Sequence, residues 1–266
     1  MWSVPWRSTS TSISSAMPSK TYAMPHGPEP PESVKRPVMS MYWDTLTFLH
    51  WPYEPDVVQR LLPPGLTVQT FDDKAWVSLV PFVMGVRLPR TKRPIPWVGN
   101  FPETNVRTYV TAADGTEGIW FFSLDATRLA PVLSARAAFW LPYMWSYMKV
   151  EREGDRVTYT CRRRVPGPSG ASSRVVVDIG PRYEPSELNE LDHFLSARWR
   201  LYSSFAGRIW SARAVHEAWP LQRATLVNCD DELMTAAGLP APTGAPIVGF
   251  SERVDVNTSV IRRVRT

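Results

Sequence analysis

The chain has 266 residues and a formal net charge of +5, with 44% hydrophobic and 21% charged side chains. This composition allows one large domain with a sizeable core and argues against global disorder. No uncharged apolar run of about 18 residues occurs, which excludes a membrane-spanning helix. Cys161 and Cys229 are too few for a disulfide framework or a four-thiolate zinc site. We expect a cytoplasmic protein that binds no membrane, because the first residues contain no apolar segment long enough for a secretory signal.

The basic excess lies at the two ends of the chain. Residues 1–40 carry four basic and two acidic side chains, and the last seven residues carry three Arg. Between them, residues 41–259 balance 23 basic against 23 acidic side chains. Nucleic-acid binding requires a basic surface on the folded domain, so we expect no nucleic-acid partner.

Residues 1–38 differ in composition from the rest, with seven Pro and a Ser/Thr-rich run. We expect either a disordered extension or an over-long gene start, with Met39 or Met41 as the true first residue. A single domain is expected over 39–257, followed by a basic tail at 258–266.

Turn signals divide the rest of the chain into short strands and a few helices. Hairpins are predicted around the turns that contain Asp72-Asp73-Lys74, Asp114-Gly115 and Gly154-Asp155. In chain order, strands are expected at 42–49, 66–71, 75–86, 105–111, 118–125, 144–151, 156–165, 174–179, 201–205, 208–215, 221–228 and 247–255. Helices are expected at 55–62, at 128–140, from Ser186 to about Trp199, and at 230–237. These elements indicate an α+β protein, mainly antiparallel β, whose sheet curls into a barrel or sandwich with three or four short peripheral helices.

The common catalytic motifs are absent from the sequence. There is no phosphate-binding G-x-x-x-x-G-K-[ST] or G-x-G-x-x-G loop, no H-E-x-x-H zinc motif and no G-x-S-x-G nucleophile elbow. His26, His50, His193 and His216 are too scattered to indicate a metal site. We therefore expect neither a metal nor a cofactor.

The strand at 105–111 carries an unusual charged face. Alternation places Asn105, Arg107 and Tyr109 on one side of it. An Arg on a covered strand must be paired or solvated. If this face lines a barrel, Arg107 would bind a carboxylate or phosphate through its two-pronged guanidinium. Pairing inside the protein and exposure at the rim stay open as alternatives.

The register of the predicted hairpin decides which residues surround Arg107. A two-residue turn would place Trp120 and its even-numbered neighbours beside it. One further loop residue would instead bring Asp125 onto this face, where it would form a structural ion pair with Arg107. Glu103, just before the strand, would pair with Arg107 or line the mouth of the cavity. His216 would act as a general acid or base, or be structural.

Several segments together resemble the YqjF-like DUF2071 family, a group without an assigned activity. They are Leu61-Leu-Pro-Pro-Gly-Leu66, Ala75-Trp-Val-Ser-Leu-Val-Pro-Phe82, Phe101-Pro-Glu-Thr-Asn-Val-Arg-Thr-Tyr109, Gly118-Ile-Trp-Phe-Phe-Ser-Leu-Asp125, Leu141-Pro-Tyr143 and His216-Glu-Ala-Trp-Pro-Leu221. The family is similar in fold to acetoacetate decarboxylase, which implies a closed or nearly closed β-barrel-like body with a central cavity.

This resemblance also implies a lysine that forms a Schiff base with a keto acid. The matching stretch from Gly118 to Asp125 contains none, and no lysine lies between Lys92 and Lys149. Lys74 is in a predicted turn, and Lys149, on a predicted strand, is expected to face solvent. The lysine chemistry of the decarboxylases is therefore not expected here.

From the sequence we expect a small anionic, carboxylate-bearing molecule bound in a barrel cavity. Arg107 would be the anchor, with Asn105, Tyr109 and Trp120 as walls. If the protein is a lysine-independent enzyme, proton transfer would fall to one of the acidic or His candidates, which are Asp125, Glu103 and His216. A non-catalytic ligand-binding or sensing module and a structural protein with a filled cavity are the alternatives, and homo-oligomer formation stays open.

Overall fold

The computed structural model describes residues 29–30, 33–88 and 99–265. Most of the extension expected at 1–38 therefore lies outside the described residues. The strands are β1 (Met39–Tyr53), β2 (Leu66–Val68), β3 (Thr70–Phe71), β4 (Lys74–Arg87), β5 (Asn100–Ala112), β6 (Glu117–Ala126), β7 (Tyr143–Glu153), β8 (Arg156–Val165), β9 (Ser172–Arg182), β10 (Arg200–Phe205), β11 (Arg208–Val215), β12 (Leu221–Asp231), β13 (Ile247–Thr258) and β14 (Arg262–Arg263). The helices are α1 (Pro55–Gln59), α2 (Leu129–Phe139), α3 (Glu190–Ser196) and α4 (Leu233–Ala236), with a 3-10 turn at Pro185–Glu187. Within these described ranges, no helix is long and apolar enough to cross a membrane.

One sheet contains all of these strands and closes on itself twice. Five of them, in the order β13, β1, β4, β5 and β6, form an antiparallel wall. Both outer strands of this wall fork. Strand β6 pairs with β10 through residues 119–120 and with β7 through 124–126. Strand β13 pairs with β12 through 249–251 and with β11 through 257–258.

The two forks close two rings that share the wall. Strands β7, β8, β9 and β12 close one ring, and β10 and β11 close the other. Only the pairings of β6 with β7 and with β10 are parallel among the described strands. The predicted fold, a mainly antiparallel sheet curled into a closed body with a few short helices, is confirmed.

Each ring buries its own face of the wall. Val106 packs with Val157, Val175 and Val177 of β8 and β9 in one apolar cluster. Successive residues of a strand point to opposite faces of a sheet. The neighbours of Val106 along β5 therefore point into the second ring, closed by β10 and β11.

Several local expectations differ from the structure: the strand expected at 66–71 is divided into β2 and β3, residues 230–231 belong to β12 and not to a helix, and α3 and the C-terminal segment also differ. The helix expected to begin at Ser186 begins instead after Asn189, whose side chain accepts a hydrogen bond from the Asp192 amide at 3.0 Å. The Asp192 carboxylate in turn accepts a hydrogen bond from the Asn189 backbone N–H at 2.9 Å, so Asn189 and Asp192 form the capping box. In the segment predicted as a basic tail, β14 pairs with β11 and Val264 is buried.

Candidate functional site

A bulge in the β5–β6 hairpin determines the surroundings of Arg107. Val106 lies opposite Ser123, whereas Arg107 lies opposite Phe121, so Phe122 is an extra residue in β6. The sequence predicted one of two uniform registers, with either Trp120 or Asp125 on the Arg107 face, and neither of them extends along the whole hairpin. The bulge interrupts the alternation of side chains along β6 at Phe122. Odd-numbered residues before Phe122 and even-numbered residues after it therefore lie on the same face as Arg107.

Arg107 lies in the wall of a cavity inside the ring closed by β10 and β11. The cavity measures about 90 Å³ and is not filled by the aromatic residues around it. One water molecule needs roughly 10–15 Å³, and pockets for drug-sized ligands begin near roughly 300 Å³. The space therefore suits a molecule of a few heavy atoms. Its polar lining includes Glu103, Asn105, Arg107, Tyr143, Arg198 and Arg200 in an otherwise largely apolar wall.

The Arg107 guanidinium is buried without a carboxylate partner. Its residue is 5% exposed, and among the described residues no Asp or Glu forms an ion pair with it. The Nε atom has no hydrogen-bond partner. The guanidinium lies 5.4 Å from the centroid of the Phe48 ring. Burial lowers the pKa of Arg107, while a hydrogen bond to the Tyr109 hydroxyl raises it in part.

A buried chain of hydrogen bonds orients Tyr109. His50 Nδ1 lies 2.7 Å from Ser78 Oγ, which lies 2.9 Å from the Tyr109 hydroxyl, and that hydroxyl donates to the Leu195 carbonyl at 2.8 Å. Because the only Tyr109 proton goes to Leu195, Ser78 donates to Tyr109 and His50 Nδ1 donates to Ser78. Burial, with a further contribution from the charge of Arg107, lowers the pKa of His50 to about 3, so this His is neutral. Tyr109 was expected to be a wall of the cavity, but it does not line it; its hydroxyl forms a hydrogen bond with Arg107 and thereby positions the guanidinium.

Glu103 is a neutral carboxylic acid in the same cavity. It accepts a hydrogen bond from the Tyr143 hydroxyl at 3.0 Å on Oε2. Burial raises the pKa of Glu103 to about 8, partly offset by this hydrogen bond, and the charge of Asp125 adds to the increase. Among the described residues, Glu103 forms no ion pair with Arg107, in contrast to one of the expectations, and its carboxyl group is held by Tyr143 instead.

Asn105 lies between these two groups on β5 and also lines the cavity. Its residue is 4% exposed, and its side-chain Oδ1 is buried without a hydrogen-bond partner. Buried polar atoms in native proteins are nearly always hydrogen-bonded. Asn105 Oδ1 and Arg107 Nε are therefore two polar atoms that a ligand or an ordered water would satisfy.

Asp125 lies on the opposite side of the wall, which corrects the expectation of a pair with Arg107. It forms a bidentate ion pair with Arg163 of β8, with 2.9 Å from Nε to Oδ1 and 2.6 Å from Nη2 to Oδ2. Ser146 donates to Asp125 Oδ1 at 2.6 Å, and the two charged side chains are 1% and 0% exposed. The geometry gives Asp125 a structural role and keeps it away from the cavity.

Trp120 does not line the cavity either, in contrast to the expectation. The bulge turns Phe121 towards Arg107, and Trp120 lines a separate cleft on the outside of the sheet. It packs there against the cluster that contains Val110 and Tyr202.

His216 is buried beside the cavity and does not line it. Its ring lies 4.6 Å from that of Trp219 and 5.6 Å from that of Trp43, which is a cavity wall. Its Nδ1 donates to the Glu217 carbonyl at 2.6 Å. Burial, above all, lowers the pKa of His216 to about 4, and the charge of Arg107 also contributes. His216 is therefore a neutral side chain that packs against the aromatic residues beside the cavity.

No lysine of the described residues reaches the cavity. The Lys149 side chain is 67% exposed and pairs with Glu151, and Lys74 pairs with Glu54 on the surface. Lys35 is also exposed, while Lys20 and Lys92 lie outside the described residues. In the same described ranges, no group of three or more His, Cys, Asp or Glu is arranged to hold a metal ion.

Sequence reasoning missed two buried arginines, one beneath the wall and one in the cavity. Arg163, the partner of Asp125, could have been found from alternation along β8, which puts it on the face of Val157, Tyr159 and Cys161, all of which are buried. Arg198 follows α3 and comes to the cavity through the fold of the chain, for which no local sequence signal exists.

The fold is that of the acetoacetate decarboxylase group. The enduracididine biosynthesis enzyme MppR in complex with pyruvate superposes with a TM-score of 0.60, at 13% identity over 91% of this chain and 96% of that one. An acetoacetate decarboxylase-like enzyme from Sphingomonas wittichii RW1 gives 0.57, at 12% identity over 92% of this chain and all of that one. Identities this low establish the shared fold alone.

The chain belongs to the DUF2071 family of uncharacterized conserved proteins. The model of this family matches residues 40–255. The uncharacterized protein YqjF of Bacillus subtilis (strain 168) is 33% identical over 221 residues, which cover 82% of this chain and 89% of YqjF. The resemblance seen in the sequence is therefore confirmed.

Proposed function

We propose that this protein binds a small carboxylic acid in the cavity, with Arg107 as the anchor for its carboxylate. The observation that carries the proposal is a buried guanidinium that lines a cavity, has no carboxylate of its own and keeps an unpartnered Nε. A buried unpaired cation is costly, and a bound carboxylate would compensate it with two charge-assisted hydrogen bonds.

The other polar groups favour a short acid that also carries a carbonyl or hydroxyl group. Glu103 is protonated at neutral pH and can donate to a carbonyl oxygen, and Asn105 Oδ1 can accept from a hydroxyl. The volume of about 90 Å³ limits the ligand to a few heavy atoms. The complex of the MppR enzyme with pyruvate supports this class, since pyruvate is such an acid.

Glu103 is the residue best suited to proton transfer if the bound acid reacts. A carboxyl group whose pKa is about 8 holds a proton at neutral pH and releases it readily when a base forms on the ligand. This chemistry uses no lysine. A non-catalytic sensing role uses the same cavity and differs only in the absence of turnover.

Thermal unfolding of the purified protein with pyruvate, lactate, acetate and phosphate tests the proposal. A ligand at 100 times its Kd stabilises the fold by about 2.7 kcal/mol, which shifts the Tm clearly. We expect a shift with a short acid in the wild type and in Arg156→Met, which removes an exposed Arg far from the cavity. Arg107→Met should fold, because it removes a buried charge, and should show no shift. An equal shift in Arg107→Met, or none in the wild type, contradicts the proposal.

A further inference from the structure

The outer cleft lined by Trp120 occupies the fork of β6. Strand β10 pairs with β6 up to Trp120, and β7 begins to pair at Leu124. Residues 121–123 therefore have no strand beside them on that edge among the described strands. The cleft measures about 460 Å³, within the usual range for small-molecule sites. Its lining combines the polar residues Arg136 and Ser204 with an apolar set, which is Leu61, Trp120, Phe121, Phe122, Trp140, Leu141, Pro142 and Ala237.

The cleft and the inner cavity share two wall residues. Phe121 and Leu141 line both spaces. Phe121 is also the cross-strand neighbour of Arg107 in the register of β5 and β6. Directly opposed residues of paired antiparallel strands have Cα atoms about 4.5–5.5 Å apart. A group anchored at Arg107 is therefore separated from the cleft by a single layer of side chains.

Trp140 presents a flat aromatic wall to the cleft from an unusual backbone conformation. Its φ of 51° places it in the left-handed region, which is an outlier for a bulky residue. The ring stacks on Phe205, with 4.8 Å between centroids and 10° between planes, and contacts Trp210 at 4.7 Å. Neighbouring contacts thus hold an otherwise unfavourable conformation.

A hydrogen bond from α2 holds the segment 140–143, which follows that helix. Arg136 of α2 donates a hydrogen bond to the Tyr143 carbonyl at 2.6 Å. The Tyr143 hydroxyl in turn donates to Glu103 in the cavity. Trp140 lines the cleft, Leu141 lines both spaces and Tyr143 lines the cavity, so one short segment forms part of the cleft, the shared wall and the cavity.

We propose that the cleft is a second subsite for the acid held at Arg107, and that it takes an apolar planar group carried by that acid when the side chains of Phe121 and Leu141, which separate the two spaces, move apart. The proposal rests on the proposed function, since the carboxylate and its carbonyl or hydroxyl group stay in the inner cavity. It names the ligand class more narrowly, as a short acid with an aromatic or similarly flat substituent. The small cavity takes the head of such a molecule and the larger aromatic cleft takes its tail.

Calorimetric titration with pyruvate and phenylpyruvate tests this subsite on the full chain. We expect phenylpyruvate to bind the wild type about tenfold more tightly, as an added aromatic contact of about 1.4 kcal/mol gives. Trp140→Asn removes the ring and tolerates the left-handed backbone, so it should abolish this advantage and leave pyruvate binding unchanged. Tyr147→Ala, which removes an exposed aromatic ring outside the cleft, should retain the advantage.

The outcomes separate the two proposals. If pyruvate binds the wild type and phenylpyruvate binds no more tightly, the subsite is wrong and the carboxylate anchor stands. The same conclusion follows if phenylpyruvate keeps its tighter binding in Trp140→Asn. If neither acid binds the wild type, both proposals are wrong. Trp120→Leu, which keeps an apolar side chain on the opposite wall, replaces Trp140→Asn if that variant does not fold, with the same expected loss of the aryl advantage.

Discussion

Replacing Asp125 with Ala should destabilise the fold severely, because it leaves Arg163 buried without a partner. Both side chains are almost completely inaccessible, and three hydrogen bonds to Asp125 come from Arg163 and Ser146. Removing one partner of such a buried pair costs about 3–5 kcal/mol. For a protein of about this size, 1 kcal/mol corresponds to about 2–4 °C in Tm, so we expect a decrease of about 6–20 °C.

Urea unfolding at pH 7 measures this effect, and the chain provides a matched control. Arg156 and Asp178 form the same bidentate geometry, with both distances at 2.7 Å, but their side chains are 53% and 42% exposed. Asp178→Ala should leave the urea midpoint nearly unchanged, because exposed ion pairs contribute little. The double variant Asp125→Leu with Arg163→Met should recover stability, since it removes both charges. Equal midpoints for Asp125→Ala and Asp178→Ala would refute the reasoning.

Three further predictions concern the protonation and reactivity of the site. The folded protein holds a proton on Glu103 up to about pH 8, whereas the unfolded chain releases it near 4.5, so the contribution of Glu103 to the free energy of unfolding falls as pH rises between these values. Urea titrations should show this decrease between about pH 6.5 and 8, where His50 and His216 are neutral in both states, and Glu103→Gln should lack it. His50 and His216 stay neutral in the fold down to about pH 3 and about 4, so stability should also fall as pH drops below about 6.5. Acid unfolding of His216→Gln should show a shallower decrease, and an unchanged slope would contradict the burial of a neutral His. Borohydride reduction with pyruvate should give no more adduct at Lys74 and Lys149 in the folded protein than in the urea-unfolded protein, because neither lysine lies at the cavity; a higher yield at either lysine in the folded protein would contradict this prediction.

Local sequence patterns predicted most strands and the polar face of β5 that lines the cavity. The Asp114-Gly115 turn marked the β5–β6 hairpin, and alternation alone put Asn105 and Arg107 on one face. Hairpin pairing depends on residues close in sequence, which is why these features are visible without a structure.

The bulge and the forks were not predictable in the same way. The extra residue Phe122 decides that Trp120 and Asp125 leave the Arg107 face, and no turn signal marks it. The partner of Asp125 is Arg163 on β8, 38 residues away, and their contact depends on the ring closed by β7 and β8. Such pairings are set by long-range strand order, which a pattern of neighbouring residues does not contain.

A crystal structure of the protein soaked with pyruvate tests the carboxylate anchor most directly. The account predicts a carboxylate in the inner cavity, with an oxygen about 2.7–3.2 Å from Arg107 Nε and the remainder of the molecule directed towards Asn105 and Glu103. A cavity that holds only water at saturating pyruvate, with Arg107 Nε bonded to a protein group instead, would contradict it.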